Sequence, residues 1–335
     1  MAAAPSRPAA AALLRQLRRA TSRSTPILAA RLDTPSPRQS PSSPASMARL
    51  SSTFNSVDPR EVSHFTELAE TWWDPHGSSR LLHLMNPVRH DFVRRCRASV
   101  PPTESTTPPG TAPEGLRYLD IGCGGGIFAE SAARLPTTAS VTAIDPTPSV
   151  LAVARAHARR DPSLRPPRLN YLSATIESLP APRTRADQFD VVSVFEVVEH
   201  VESPAEFLAR AAPFVRPGGW LVGSTIARTF VSWVTTNLVA EDILGIVPKG
   251  THDWNKYINE DELRAWVLSR GGWSDVRISG VMYVPGMGWK EVEGSEKVGN
   301  YFFAFRRSLD ADDLVKEPVP AEAVAAKEGK VEGSA

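Results

Sequence analysis

Cysteine is nearly absent. Cys96 and Cys123 are the only two in 335 residues, too few for a disulfide framework. Long apolar runs are missing as well. No stretch reaches the roughly 18 residues that cross a bilayer as a helix. No internal repeat occurs, which excludes a solenoid. Acidic residues are scarce at the start: residues 1–57 contain eight arginines, no lysine and one acid, Asp33. Positions 58–335 then carry 30 basic and 36 acidic residues, a net −6 hidden beneath the overall +1. A mildly acidic body offers no basic face to phosphate backbones, so nucleic acid is not an expected partner.

What is present at the start reads as an address. Arg7, Arg15, Arg18, Arg19, Arg23 and Arg31 precede any acid, and residues 12–20 (ALLRQLRRA) can form a basic amphipathic helix. An Arg- and Ser-rich, acid-poor leader is expected to be a mitochondrial transit peptide; a plain basic tail is the alternative. Residues 33–53 are rich in Ser and Pro and read as a linker. The expected organisation is a transit peptide and linker over 1–50, one domain with N-terminal helices over 51–308, and a disordered Ala/Glu/Lys/Pro-rich tail over 309–335. The low cysteine count suits a reducing compartment such as the mitochondrial matrix.

Within the domain the hydrophobic period alternates between helix and strand. Residues 58–97 read as helical, opened by Asp58-Pro59, and residues 100–114 as a Pro/Thr-rich loop. Strands are expected at 118–121, 141–145, 169–173, 189–195 and 220–225, with helices at 127–135, 149–159 and 204–215. A final strand pair, 276–283 and 301–306, has a Gly-rich connection and can be antiparallel. Alternating strands and helices predict an α/β fold with a doubly wound, mostly parallel sheet.

Asp120-Ile121-Gly122-Cys123-Gly124-Gly125-Gly126 lies where the first strand gives way to a helix. Glycines let such a turn tighten and bring its backbone close to a ligand. Asp145, at the end of the second strand, can accept both hydroxyls of a ribose. A dinucleotide or S-adenosylmethionine satisfies this layout. The spacing is G-x-G-x-G, and Asp120 stands two residues before the first glycine. That charge is unfavourable near a pyrophosphate and favourable near a sulfonium or ammonium, so the methyl donor is the preferred reading.

The fourth strand leads into Phe195-Glu196-Val197-Val198-Glu199-His200. Such a strand ends beside the cofactor, and Phe195 can pack against an adenine. Glu196, Glu199 and His200 can hold a divalent cation such as Mg2+. His200 can equally be a lone general base for a phenol, and the group can simply cap the next loop. Residues 229–248 are mostly apolar and suit an interfacial segment or an ordinary core helix. Asn237, Glu241 and Asp242 forbid spanning.

Through LDIGCGGGIFAESAARL, FEVVEHVESPAEFL, VRPGGWLVGSTIART, VPKGTHDWNKYI and the upstream HFTELAETWWDPHGSSRLLHLMNPVRHDFV, the chain resembles the ubiquinone-biosynthesis O-methyltransferases over about residues 55–305. The resemblance implies a class I, Rossmann-like methyltransferase fold with a seven-stranded sheet and helices on both faces. It implies methylation of catechol hydroxyls on polyprenylated rings, a dihydroxy-polyprenylbenzoate and a demethylated ubiquinol. Arg89, Gly122, Gly124, Asp145 and Phe195 match the family's donor-binding positions. Glu196, Glu199 and His200 match its metal cluster. The implied setting is the matrix side of the mitochondrial inner membrane, with peripheral attachment through 229–248 and a multi-subunit biosynthetic complex. The rival readings are a C-methyltransferase, a small-phenol O-methyltransferase and a non-catalytic scaffold. Beyond Pro285 the chain (GMGWKEVEGSEKVG) departs from the family's pattern, and no substrate residue is carried over there.

Overall fold

The computed structural model describes residues 54–100, 115–228 and 257–311. The leader, the 100–114 loop beyond Val100, the apolar segment 229–248 with Lys249 and His252, and the tail beyond residue 311 lie outside the described residues.

Residues expected as one helical region form two helices, α1 (Pro59–Leu68) and α2 (Arg80–Ala98). Between them Asp74-Pro75-His76-Gly77 turns the chain, and a Cβ at Gly77 would press on the Thr71 carbonyl, so a helix cannot run through. The sheet then alternates with helices: β1 (Leu116–Ile121), α3 (Ile127–Arg134), β2 (Thr138–Asp145), α4 (Pro148–Ala158), β3 (Leu169–Ser173), β4 (Phe189–Phe195), α5 (Pro204–Ala211), β5 (Val215–Ile226), α6 (Glu260–Arg270), β6 (Trp273–Val284), β7 (Gly288–Glu291) and β8 (Asn300–Arg307).

The sheet order is β3-β2-β1-β4-β5-β8-β6-β7. The first five strands are parallel, and β8 runs antiparallel between β5 and β6. The class I expectation holds with one change: among the described residues the sheet has eight strands, not seven. The added β7 pairs with the end of β6 through a tight turn. It is too short and too Gly-rich to show a period of two.

Two further differences have physical causes. Pro217-Gly218-Gly219, expected to close a helix, instead lies inside β5. The strand starts at Val215, and its pairing with β4 slips between Phe189↔Val215 and Val191↔Trp220, so residues 216–219 bulge out. Helix α6 was not expected. Its start is written in the sequence, since Asn259 and Glu262 exchange backbone and side-chain hydrogen bonds in a capping box.

Strand alternation sends neighbouring side chains to opposite faces. Tyr118 and Val191 join a core with Met85 and Phe92 of α2, Phe128 of α3 and Leu151 of α4. Leu119 and Val192 join the opposite core with Phe207 and Leu208 of α5 and Leu263 and Val267 of α6. All seven residues of β4 are buried, as a strand covered on both faces requires.

The topology reverses between β1 and β4, which opens a crevice at the carboxyl ends of those strands. Gly126 begins α3 there with φ +89°, and a Cβ on it would overlap the Tyr171 hydroxyl. Gly126→Ala combines a left-handed backbone with a clash, at a cost of about 2–4 kcal/mol. Urea unfolding should show a lower midpoint with unchanged slope; an unchanged midpoint would contradict the packing.

Candidate active site

A cavity of about 680 Å³ fills the crevice, lined by the ends of β1, β2 and β4 together with α1, α2 and β6. The glycine loop shapes its floor. Gly122, Gly124 and Gly126 all have positive φ. The amides of Gly122 and Cys123 both donate to the Ile144 carbonyl, at 2.9 and 3.0 Å. A side chain at Gly122 would meet Val197 Cγ2 at 2.6 Å, and one at Gly124 or Gly125 would overlap the Trp72 ring. The adjacent Trp73 donates from Nε1 to the Gly125 carbonyl at 2.9 Å and stacks on His157 at 3.5 Å.

Asp145 accepts from the Gly124 amide at 3.0 Å and the Thr147 amide at 2.8 Å. Each carboxylate oxygen keeps a lone pair, so Asp145 can still receive hydroxyls from the cavity. Burial raises its pKa, and those two amides work against the rise. Asp120 is buried and accepts from Ser193 Oγ at 2.6 Å. Burial pushes its carboxyl up to about 7.

Arg89, buried on α2, faces these acids. Its Nη2 lies 3.8 Å from Glu196 Oε1, and among the described residues its Nε and Nη2 have no hydrogen-bond partner. Burial lowers its pKa, opposed by Glu196, Asp120 and Glu199. A buried guanidinium with spare donors is built to receive a carboxylate. The guanidinium carbon sits 5.0 Å over the Phe195 ring, and Phe128 and Phe302 pack the ring's edges. Phe195 therefore lines the cavity from beneath Arg89, where its ring supports the guanidinium rather than standing free to stack on an adenine.

Glu196, Glu199 and His200 come together at the end of β4, but each turns to a different partner. Glu196 has φ +55°, a strained conformation for this residue type; its carboxylate accepts from Ser224 Oγ at 2.5 Å. Glu199 is buried and accepts from Thr225 Oγ1 at 3.0 Å. Burial and then the Glu196 charge push it up to about 7. His200 Nδ1 bonds Glu61 Oε2 at 3.0 Å, and its ring meets Phe65 edge-on at 5.2 Å. Burial alone would lower the His200 pKa; the Glu61 bond and the charges of Glu199, Glu61 and Glu196 raise it above its ordinary value. Among the described residues no three His, Cys, Asp or Glu side chains are grouped to hold one ion. The three side chains of the expected cluster do not converge on one point: Glu196 turns to Ser224, Glu199 to Thr225 and His200 Nδ1 to Glu61.

Glu61, Trp72 and Trp73 were not foreseen as parts of the site. Glu61 lies 139 residues from His200, with no local signal to join them. The Trp72-Trp73 pair signalled only that some close packing was at stake.

A glycine loop at the end of β1, an acid at the end of β2 and this sheet order define an S-adenosylmethionine-dependent methyltransferase, and residues 119–223 match the family model described as "Methyltransferase domain". The chain is 43% identical over 268 residues to the mitochondrial ubiquinone biosynthesis O-methyltransferase of Schizosaccharomyces pombe, covering 77% of this chain and 89% of the relative. It is 38% identical over 288 residues to that of Candida albicans, covering 76% and 86%, and 42% identical over 233 residues to the Methylobacterium enzyme, covering 69% and 88%. Among solved structures, the plantazolicin methyltransferase BpumL with SAH aligns at a TM-score of 0.47 and 16% identity, over 74% of this chain and 97% of that one. The chain belongs to the ubiquinone biosynthesis O-methyltransferase family. It is an enzyme of methyl transfer to oxygen, and a mitochondrial one.

Asp120 yields a test. Its folded pKa of about 7 stands above the ordinary 3.8, so the folded state binds the proton more tightly. Its stabilising contribution is complete below about pH 4 and is lost as pH rises through about 7. In donor-free protein, Asp120→Asn should be more stable than the parent at pH 8, by at most about 4 kcal/mol. Urea unfolding should show the difference shrinking toward pH 4; a variant less stable at pH 8 would contradict this.

Proposed function

We propose that the acceptor is a catechol hydroxyl on a polyprenylated ring, a dihydroxy-polyprenylbenzoate or a demethylated ubiquinol, and that His200 takes its proton. The observation that carries this reading is the Glu61–His200 pair at the cavity wall: a carboxylate fixes one imidazole nitrogen and leaves the other to act as base. A phenol of pKa about 10 is mostly protonated near neutral pH, so a base is required. The phenolic proton passes to His200 Nε2. The oxygen bonds to the methyl carbon as the carbon–sulfur bond breaks, and that electron pair stays on sulfur. The products are a methyl ether and S-adenosylhomocysteine.

The donor is placed by charge. Arg89 receives its carboxylate, and Asp120 faces its ammonium and sulfonium. Asp145 takes the ribose hydroxyls, while Gly122 and Gly124 allow the backbone to approach. The Ala174 amide bonds the Asp145 carbonyl at 3.3 Å, and Ala174 and Ile176 line the same side of the cavity; the adenine belongs there. Such a site supplies mainly proximity and in-line orientation.

A Mg2+ or similar ion at Glu196, Glu199 and His200 requires those side chains to converge on one point, away from their present arrangement. The domain division, with a transit peptide before and a tail after the catalytic unit, is part of the same reading. So are the inner-membrane setting on the matrix side, peripheral attachment through 229–248 and membership of a multi-subunit biosynthetic complex.

The decisive experiment is donor-dependent methylation of prenylated catechols, read by mass spectrometry with labelled donor. A methoxy product supports the reading and a ring-methyl product overturns it. Full turnover in excess chelator supports the His200 base, whereas loss restored by magnesium replaces that base with a metal. His200→Ala should lower kcat by about 10²–10⁴-fold while donor affinity changes little. Arg89→Ala should instead weaken donor binding by about 10–100-fold in calorimetry. His200 must be neutral to accept a proton, so kcat/KM falls as pH drops through its raised pKa. Glu61→Gln removes the main cause of that rise, and the acid limb should move to lower pH. An unmoved limb excludes the pair.

A further inference from the structure

The eighth strand builds a surface that the methyl donor does not need. β6 and β7 are joined through Pro285-Gly286-Met287. Trp289 ties this hairpin to α2 by donating from Nε1 to the Leu81 carbonyl at 3.0 Å, and its ring meets its cross-strand partner Tyr283 at 5.7 Å. Met282, Tyr283, Pro285 and Trp289 form one wall of the cavity that Arg89, Gly122 and Asp145 also line. On the solvent side the hairpin leaves large apolar side chains uncovered: Met282 is 44% exposed and Met287 66%. Met282 lines the cavity itself and Met287 follows two residues after Pro285, which also lines it; methionine adapts to irregular apolar partners.

Charge and volume narrow the occupant. Residues 285–300 hold Lys290 and Lys297 against Glu291, Glu293 and Glu296, so the segment is net −1 and does not attract an anionic headgroup. The cavity, about 680 Å³, is within the range of roughly 300–1,000 Å³ taken by a single medium-sized ligand. The donor and an aromatic ring use that space, and a long tail on the ring must leave it. We propose that the β6–β7 hairpin is the tail subsite: the acceptor's isoprenoid chain leaves the cavity over Met282, Tyr283 and Trp289 and runs out along Met287. This inference rests on the prenylated-catechol reading above.

The test uses the full chain, S-adenosylmethionine and two catechols, one carrying a short isoprenoid tail and the other the same ring without it. The readout is the ratio of kcat/KM for the tailed to the tail-less acceptor. The parent should favour the tailed catechol. Met287→Asp and Met282→Gln should each lower the ratio, Met287→Asp by about tenfold and through KM. Met287 lies in an exposed turn, so a charge there does not threaten the fold, and donor binding by calorimetry reports integrity. A ratio unchanged in both variants overturns the subsite and leaves the catechol reading standing. Equal kcat/KM for the two catechols in the parent also overturns it. A parent that methylates neither catechol overturns the catechol reading, and the subsite with it.

Discussion

The Trp72 ring occupies the space that side chains would take at Gly124 and Gly125, while Trp73 holds the same loop through the Gly125 carbonyl. This contact joins the chain before the sheet to the first turn of the sheet. It adds to the anchorage that α2 has through Asn86 and His90 on Ser131 and through Met85 and Phe92 in the core. Arg89 rides on α2, and Glu61 on α1. The positions of the cavity's buried arginine and of the histidine's partner therefore depend in part on two indoles packed on a loop that lacks Cβ atoms. Trp73 extends the anchorage by stacking on His157, whose Nδ1 meets the fully buried Glu130 at 2.9 Å.

The second constraint is electrostatic. The crevice gathers Asp120, Asp145, Glu196 and Glu199 around Arg89 with little water to dilute their charges. Burial raises the pKa of Asp120, Asp145 and Glu199 and lowers that of Arg89. The charges of Asp120, Asp145, Glu199 and Arg89 are less favourable there than in solution. In the donor placement proposed above, a zwitterionic, sulfonium-bearing ligand reverses that situation, because it brings a positive centre to the acids and a carboxylate to Arg89. The site is thus complementary to its ligand through charges that the protein alone holds at a cost.

Much of this was legible in the sequence. Strands β3 and β4 match their expected spans, and the final pair is antiparallel, as its Gly-rich connection allowed. The glycine loop with Asp120 and Asp145 pointed to the donor on chemistry alone. What the sequence concealed were relations across long separations. Nothing local links Glu61 to His200, Ser224 to Glu196 or Thr225 to Glu199, and those partners decide what the acid–acid–His group does. Helix α6 carries a readable capping box in Asn259 and Glu262. Strand β7 is different in kind, since four residues with a leading glycine leave no period to read. The bulge in β5 shows the limit of punctuation: Pro-Gly-Gly marks an interruption but does not say whether a helix ends or a strand buckles.

The place of β8 has a consequence for how the chain comes to its final state. This last strand lies between β5 and β6, and Phe302, Phe303 and Phe305 are wholly buried in it. While β8 is unplaced, the outer edge of β5 has no partner and β6 pairs only with the short β7. The parallel half can assemble from its own βα units as they become available. The antiparallel half waits for residues 300–307, whose contacts with β5 span about 80 positions of sequence. Pairing over such separations is slow, and an open apolar edge is prone to wrong partners in the interval. The same strand that completes the sheet therefore sets the period during which the newly made chain most needs protection from aggregation.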